Sequence, residues 1–243
     1  MVAAVGIDLA WKEPGITGLC VLNDGILKRW DADVYSNTAL TEIVHGIDCE
    51  RCIVTIDAPL EVPNESGIRS CERAFKKTKI HGHYLSVLGS NRAFLSRQFG
   101  SIRGELLLQG LVSDRISVYE TFPSASVVGM FGRRIPYKFS AGKTKAGVIA
   151  GMGTLLNSFR KHERFSTFAG ELDSHVSHPL SLAKTRTELK YLEDKVDAFI
   201  CAYTAWQLSV FDNKVRIVKE GQDDGSIVFS YFDTPVFVGG NLE

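Results

Sequence analysis

Three short apolar runs of this sequence each carry a carboxylate at or next to their carboxyl end, and this pattern constrains the fold more than any other. The runs and their acids are residues 2–9 with Asp8, residues 53–56 with Asp57, and residues 116–119 with Glu120. Short apolar runs rich in β-branched residues are typical of strands that are buried on both faces of a sheet. An acid at the end of such a strand lies at the rim of the core, where its ionised form needs a partner or a metal ion.

The remaining pattern predicts one α/β domain over residues 1–243. A second apolar run at residues 16–22, followed by Asn23-Asp24-Gly25, predicts a β-hairpin after the first strand. Helices are predicted at about residues 38–47, 69–77, 91–111, 144–159 and 194–208. The last thirty residues are predicted to be strands or extended segments with a turn at 223–225. We therefore expect a three-layer fold with a mixed five-stranded central sheet, helices on both faces and an elaborated middle segment.

In this topology the first, fourth and fifth strands are parallel neighbours, so Asp8, Asp57 and Glu120 should meet at one edge of the sheet. Asp194 and Asp197 are three residues apart on a predicted helix and share a face. The position of Asp194 is also explained by the helix dipole, which favours acids in a first turn. Each strand-end acid, taken alone, is also explained as a turn former. A cluster of such carboxylates favours a bound divalent cation, which prefers oxygen ligands.

Basic residues are concentrated in the middle of a chain whose formal net charge is zero. Residues 69–103 contain eight basic residues and one acid, and residues 121–162 contain seven basic residues and no acid. Such segments indicate a phosphate-facing surface, although solvated helix faces explain them equally. The candidate substrate-binding residues are Arg69, Arg73, Lys76 and Lys77.

The chain shows no sign of export or of membrane insertion. No apolar stretch approaches the ~20 residues that span a bilayer, and no basic segment precedes the first apolar run. The five cysteines have irregular spacing, which predicts reduced thiols. We therefore expect a cytoplasmic protein without a membrane partner.

Five short segments, taken in order, carry a resemblance to a known family. They are Gly6-Ile7-Asp8-Leu9-Ala10-Trp11, Ile56-Asp57-Ala58-Pro59-Leu60, Arg69-x-Cys71-Glu72-Arg73, Tyr119-Glu120-Thr121-Phe122-Pro123-Ser124, and Asp194-x-x-Asp197-Ala198 with Cys201-Ala202. Together they resemble the DUF429 family, whose members are predicted nucleases of the ribonuclease H-like fold, related in outline to RuvC-type resolvases. The resemblance implies one ribonuclease H-like domain with an acidic site of Asp8, Asp57 and either Asp194 or Asp197. It places Glu120 at a Glu-x-x-Pro position.

The expected function is metal-dependent hydrolysis of phosphodiester bonds in nucleic acid, with Mg²⁺ or Mn²⁺ as cofactor. Carboxylates at adjacent strand ends can hold two such ions, with Asp8 as the bridging ligand. The candidate catalytic residues are Asp8, Asp57, Asp194, Asp197 and Glu120, and the four aspartates are also the candidate metal ligands. One alternative is a non-catalytic protein of the same fold that binds nucleic acid or nucleotides. Another is an actin-like or sugar-kinase-like phosphotransferase, although Leu9-Ala10-Trp11 replaces the Gly-Thr/Ser expected after the first-strand acid in that class.

Overall fold

The computed structural model describes residues 1–139, 142–210, 214–220 and 225–235. Its strands are β1 (Val2–Asp8), β2 (Ile16–Asn23), β3 (Ile26–Val34), β4 (Arg51–Ile56), β5 (Lys79–Ile80), β6 (His83–Tyr84), β7 (Ile116–Thr121), β8 (Val215–Val218) and β9 (Ile227–Ser230). Its α-helices are α1 (Asn37–His45), α2 (Ser70–Lys77), α3 (Arg92–Phe99), α4 (Arg103–Leu111), α5 (Pro123–Phe131), α6 (Lys145–Lys161), α7 (Ala169–Leu172), α8 (His178–Leu182) and α9 (Arg186–Ser209). A 3₁₀ helix at Glu163–Phe168 and a π-helical turn at Asp173–Ser177 lie between α6 and α8.

The central sheet is mixed, which confirms the α/β class. Its strand order is β3-β2-β1-β4-β7-β9-β8, with β1, β4, β7 and β9 parallel to one another. The prediction of five strands is wrong, because β9 pairs with β7 and β8 pairs with β9 near the end of the chain. Of the turn predicted at residues 223–225, the first two residues lie outside the described part of the chain.

The hairpin between β2 and β3 forms where the turn sequence predicts it. Asp24 and Gly25 have φ values of 46° and 77°, which is the left-handed conformation that a tight two-residue hairpin requires. A second, small hairpin joins β5 to β6, with His81 and Gly82 at its turn. It lies in the middle segment that the sequence analysis left irregular.

Helices cover both faces of the central sheet. On one face, buried side chains of α1 and α4 pack against Val5, Ile7, Val54 and Ile56. On the other face, the long helix α9 packs on β1, β2 and β4, with α5 and α6 beside it. Side chains alternate along a strand, so each central strand contributes every second residue to each of the two cores.

Two predicted helices have different bounds in the structure. The single helix expected over residues 91–111 is two helices, because α3 ends at Gly100, whose φ of 85° is the left-handed conformation of a helix C-cap. The helix expected from residue 194 begins eight residues earlier, at Arg186. Thr185 and Glu188 form a capping box at that start, so Asp194 and Asp197 lie in the helix interior.

Candidate metal centre

Strand pairing brings Asp8 and Asp57 together at the carboxyl ends of β1 and β4. The backbone N–H of Asp57 donates to the carbonyl of Ile7 at 2.9 Å, so the two acids follow adjacent, parallel strands. Both belong to the alternating set of residues that faces α9. In β4 the preceding member of this set, Thr55, donates from its hydroxyl to the Cys201 carbonyl of α9 at 2.7 Å. Asp8 and Asp57 therefore extend towards the helix that carries Asp194 and Asp197.

Glycines allow α9 to lie unusually close to the sheet at this point. A Cβ atom on Gly6 would lie 2.1 Å from the Ala198 carbonyl oxygen, and one on Gly18 would lie 2.0 Å from the Asp194 carbonyl oxygen. Gly18 is the residue of β2 that pairs with Asp8. The missing side chains thus let the backbone of α9 pass directly over the ends of β1 and β2, which brings its two aspartates to Asp8.

Three carboxylates form a compact cluster. One ligand oxygen from each of Asp8, Asp57 and Asp197 lies within 4.8 Å of the other two. Oxygens on opposite sides of one Mg²⁺ are about 4.2 Å apart, twice the usual ligand distance. Adjacent ligand oxygens on one ion lie closer, at about 3 Å, so a side-chain rotation that draws the three carboxylates together would let all of them contact one ion.

Lys138 and Tyr137 enter this cluster from the loop that follows α5. The Lys138 ammonium lies 2.7 Å from Asp197 Oδ2 and 3.9 Å from Asp57 Oδ2. The Tyr137 hydroxyl donates to Asp197 Oδ1 at 2.5 Å, so both oxygens of this buried carboxylate have a partner. Sequence analysis counted Lys138 only as part of a basic segment and did not single out Tyr137.

Lys190 forms ion pairs with two acids of α9, Glu193 and Asp194. Its ammonium lies 2.6 Å from Asp194 Oδ1 and 2.9 Å from Glu193 Oε1. Glu193 also accepts from the backbone N–H of Phe139 at 2.9 Å. The second oxygen of Asp194, Oδ2, is buried and has no hydrogen-bond donor.

The electrostatics of the cluster fit a divalent cation. Burial, together with the charges of Asp197 and Asp57, raises the pKa of Asp8 well above its usual range. Burial also raises the pKa of Asp57 to about 7, although Lys138 opposes this shift. The pKa of Asp194 is raised by burial as well, against the effect of Lys190. The cluster therefore carries too little positive charge to keep its carboxylates ionised, and the unpartnered Asp194 oxygen offers a ligand atom.

Glu120 lies on the opposite face of the sheet from this cluster. It pairs with Ile56 rather than with Asp57, and the residue before it, Tyr119, packs against the core on the α9 side. The Glu120 carboxylate accepts two hydrogen bonds from Arg69, at 2.6 and 2.7 Å, and one from the Leu60 N–H at 3.1 Å. The expectation that Glu120 joins the aspartates is therefore not met in the structure.

Arg69 is enclosed by these contacts. Its side chain is 1% exposed, and it also donates to Glu72 Oε1 at 2.9 Å and to the Glu61 carbonyl at 3.0 Å. The Glu72 carboxylate in turn accepts from the backbone N–H of Ser90. The guanidinium predicted to bind substrate is thus engaged with two buried acids, Glu72 and Glu120, which it neutralises.

A cleft of about 190 Å³ lies beside the cluster, between Asp57 and the Arg69–Glu120 pair. Trp11 and Leu88 line it and are 41% and 52% exposed. The Trp11 ring stacks on Phe99 with 5.2 Å between centroids. The other candidate substrate-binding residues, Arg73, Lys76 and Lys77, are outside the described lining of this cleft, and Arg73 and Lys77 are exposed.

The site residues that the sequence analysis missed differ in whether a local sequence pattern marks them. Lys190 stands four residues before Asp194, the spacing of a helical ion pair, so a correct start for α9 would have revealed it. Glu193, which the late helix start would place outside α9, is buried as well. Tyr137 and Lys138 reach the cluster from an irregular loop, and no local pattern in the sequence marks such a contact.

The structure thus defines an α/β protein with an acidic cluster at the carboxyl edge of its central parallel strands. The chain belongs to the DUF429 family, described as a protein of unknown function, which matches residues 6–210 and confirms the resemblance at the level of the family. Comparison with curated proteins and with solved structures gives no match. Within the described residues, every helix is too short or too polar to cross a lipid bilayer.

Proposed function

We propose that this protein is a metal-dependent phosphodiester hydrolase acting on nucleic acid, with Mg²⁺ or Mn²⁺ as cofactor. The observation that carries the proposal is the cluster of Asp8, Asp57 and Asp197, whose ligand oxygens lie within 4.8 Å of one another. A hard divalent ion is the partner such oxygens favour. Phosphodiester hydrolysis is the reaction that carboxylate-bound ions of this kind commonly support.

The sheet supports a ribonuclease H-like architecture, related in outline to RuvC-type resolvases. That fold implies an antiparallel hairpin meander followed by parallel strands. The order β3-β2-β1-β4-β7, with β1, β4 and β7 parallel, agrees with it. In this proposal β8 and β9 are additions at one edge of the shared sheet.

The side chains of the cluster would have distinct tasks. A bound ion would polarise the scissile phosphate and lower the pKa of the attacking water. Asp8 and Asp57 would hold the ion from the strand ends, and Asp197 from the helix. The Tyr137 hydroxyl fixes the orientation of Asp197 through its hydrogen bond. Asp194 Oδ2, which has no donor, is available as a ligand or as an acceptor for the proton of the water.

The cleft beside Asp57 supports a substrate with flat, apolar groups as well as phosphates. Trp11 exposes its ring there while Phe99 supports it from behind. Stacking of bases on aromatic side chains is a common source of affinity for single-stranded nucleic acid. Arg69 lines the same cleft. Arg73 and Lys77 follow it closely in the sequence, and both are exposed on α2, so this segment carries further positive charge.

The test compares wild type with Asp8→Asn on a panel of single-stranded, duplex and branched DNA and RNA, in Mg²⁺ and in Mn²⁺. We expect wild type to cleave at least one substrate and Asp8→Asn to lose about 100-fold or more of that activity, because it loses a charged ligand. The melting temperature of Asp8→Asn should be unchanged or higher, since the substitution removes one member of a repelling cluster.

Asp48→Asn is the matched control, because Asp48 is an exposed acid on the loop before β4. It should cleave like wild type. Equal cleavage by wild type and Asp8→Asn would point to a contaminating nuclease and defeat the assignment of Asp8. An absence of cleavage on every substrate would favour the second candidate below.

The second candidate is a non-catalytic protein of the same fold that binds nucleic acid or nucleotides. The observation that favours it is the pair of lysines, Lys138 and Lys190, which already neutralise part of the cluster. Calorimetric titration with Mn²⁺ separates the two candidates. The hydrolase should bind the ion, whereas a cluster satisfied by its lysines should not.

A further inference from the structure

Lys138 is held in the acidic cluster by both of its neighbours in the chain. The Tyr137 hydroxyl bonds to Asp197, and the Phe139 N–H bonds to Glu193, so the backbone on each side is tied to α9. The Lys138 side chain is 27% exposed, and its ammonium lies between Asp197 and Asp57. A lysine fixed in this way loses little freedom on binding the carboxylates, unlike an ordinary surface lysine.

The position of this ammonium is one that a second metal ion would need. In two-metal sites the ions are about 3.5–4 Å apart and share carboxylates. The oxygens of Asp57 and Asp197 that would bind a second ion are those that face Lys138, at 3.9 and 2.7 Å. Asp197 Oδ1, which accepts from Tyr137, keeps a lone pair for the first ion, whereas a second ion at Oδ2 would have to displace Lys138.

Among the described residues, Lys138 forms ion pairs with Asp57 and Asp197 and with neither Asp8 nor Asp194. Asp194 is 3% exposed, and its Oδ2 has no donor although it is buried beside the site. The charge of Asp194 acts on Asp8, and a cation bound between them would offset this repulsion. Asp8, Asp57 and Asp197, the ligands of the proposed function, would therefore hold one ion there, with Asp194 Oδ2 as a further ligand oxygen.

We propose that Lys138 is the second cation of this site, so that the protein binds a single divalent ion on the Asp8–Asp194 side, with the ammonium in place of a second ion. This inference rests on the proposed function and refines it, since the sequence analysis expected two ions. The ammonium would lie on the side of Asp57 and Asp197 and supply fixed positive charge close to a bound phosphate.

The test is calorimetric titration of the full chain with Mn²⁺ alone, at neutral pH, for wild type, Lys138→Met and Lys138→Arg. We expect wild type and Lys138→Arg to bind one equivalent. Lys138→Met should bind the first ion about tenfold more tightly, because a fixed positive charge has been removed, and should accept a second equivalent at higher concentration. Lys28→Met, which removes an exposed lysine of β3, should behave as wild type.

The cleavage rate provides a second measurement, because a purely structural role of Lys138 would not combine slower cleavage with tighter Mn²⁺ binding. Lys138→Met should cleave at least about tenfold more slowly while binding Mn²⁺ more tightly, whereas Lys138→Arg should retain most activity. Two equivalents bound by wild type, or Mn²⁺ affinity unchanged or weakened in Lys138→Met, would overturn the inference and leave the hydrolase proposal intact. No Mn²⁺ bound by wild type would overturn both.

Discussion

At the scale of single residues, Arg69 separates the acids at the carboxyl edge of the sheet into two groups. It binds Glu120 and Glu72 on one face, while the aspartates gather on the other face under α9. Its guanidinium has its pKa raised by the neighbouring acids, chiefly Glu120, although burial opposes this shift. The bidentate contact with Glu120 is the geometry in which arginine binds a carboxylate most strongly.

We predict that Arg69→Met destabilises the protein by about 3–5 kcal/mol, because it leaves Glu72 and Glu120 buried without their cation. The measurement is the free energy of unfolding from urea denaturation. Arg73→Met is the matched control, since this exposed arginine lies one turn further along and should change stability by less than about 0.5 kcal/mol. Similar losses in both variants would mean that the buried network contributes no special stability.

At the scale of elements, the approach of α9 to the sheet determines the geometry of the acidic cluster. The helix supplies Asp194 and Asp197, and it can reach Asp8 because Gly6 and Gly18 have no side chain at the contact. Close packing of backbone on backbone leaves little room for adjustment. A change of one methyl group at this contact should therefore affect both stability and the site.

We predict that Gly6→Ala destabilises the protein by about 3 kcal/mol, because the new Cβ would lie 2.1 Å from backbone atoms of Ala198 and Ala202. The displaced helix should also weaken Mn²⁺ binding, measured by calorimetry alongside urea denaturation. Gly153→Ala is the control: this glycine lies inside α6 with nothing within 4 Å of a new Cβ, so alanine should stabilise by about 0.5–1 kcal/mol. Unchanged Mn²⁺ affinity in Gly6→Ala would contradict the role given to this contact.

The elements that the sequence predicted correctly are those with a local signal. The runs that became β1, β4 and β7 are apolar and bounded by acids or turns, and the Asn23-Asp24-Gly25 turn specifies its hairpin. The face of the sheet on which Glu120 lies depends instead on the register between β4 and β7. Its pairing with Ile56 puts it on the other face from Asp57, and register is set by contacts between distant segments.

Two further errors had different physical causes. The first three residues of α9 are polar and exposed, so a search for apolar periodicity began the helix too late, although the Thr185–Glu188 capping box was present in the sequence. The strand β9 is four residues long, and its membership of the sheet depends on pairing with β7, which precedes it by many elements. Lys138 was unpredictable for the same reason, since its partners are distant in the chain.

At the scale of the whole molecule, the formal net charge is zero, but the acidic and basic residues are unevenly distributed along the chain. Several carboxylates of the cluster have a raised pKa in the folded protein, so their protonated forms are favoured on folding. The ordinary pKa of Asp57 is 3.8, and burial raises it to about 7. This difference links the stability of the metal-free protein to pH and to divalent ions.

We predict that the metal-free protein becomes less stable between about pH 5 and 7. Over this range the unfolded chain has already released the protons that folded Asp57 and Asp8 retain, so each rise in pH favours the unfolded state. The loss assigned to Asp57 should be roughly 2–4 kcal/mol, at about 1.4 kcal/mol per pKa unit. The opposite effect of Glu188, whose pKa is lowered by hydrogen bonds, falls below this range.

Urea denaturation at several pH values, with and without Mn²⁺, measures this dependence. Asp57→Asn should flatten the curve, and Mn²⁺ should restore stability at pH 7 more than at pH 5, because the ion binds the ionised carboxylates. A stability profile that is level from pH 5 to 7 in wild type would mean that the cluster is not strained in the absence of metal.

The position of β9 has a consequence for how the chain matures during synthesis. This strand is the last described element, yet it lies inside the sheet beside β7, and its Phe229 packs against Phe75 of the middle segment. Until the ribosome has made β9, the growing chain carries β7 with one row of backbone hydrogen-bonding groups unpaired, a surface that invites association with other chains. The segment matched by the family ends at residue 210, before this strand, so a nascent chain that already contains all the acidic ligands still has an open sheet.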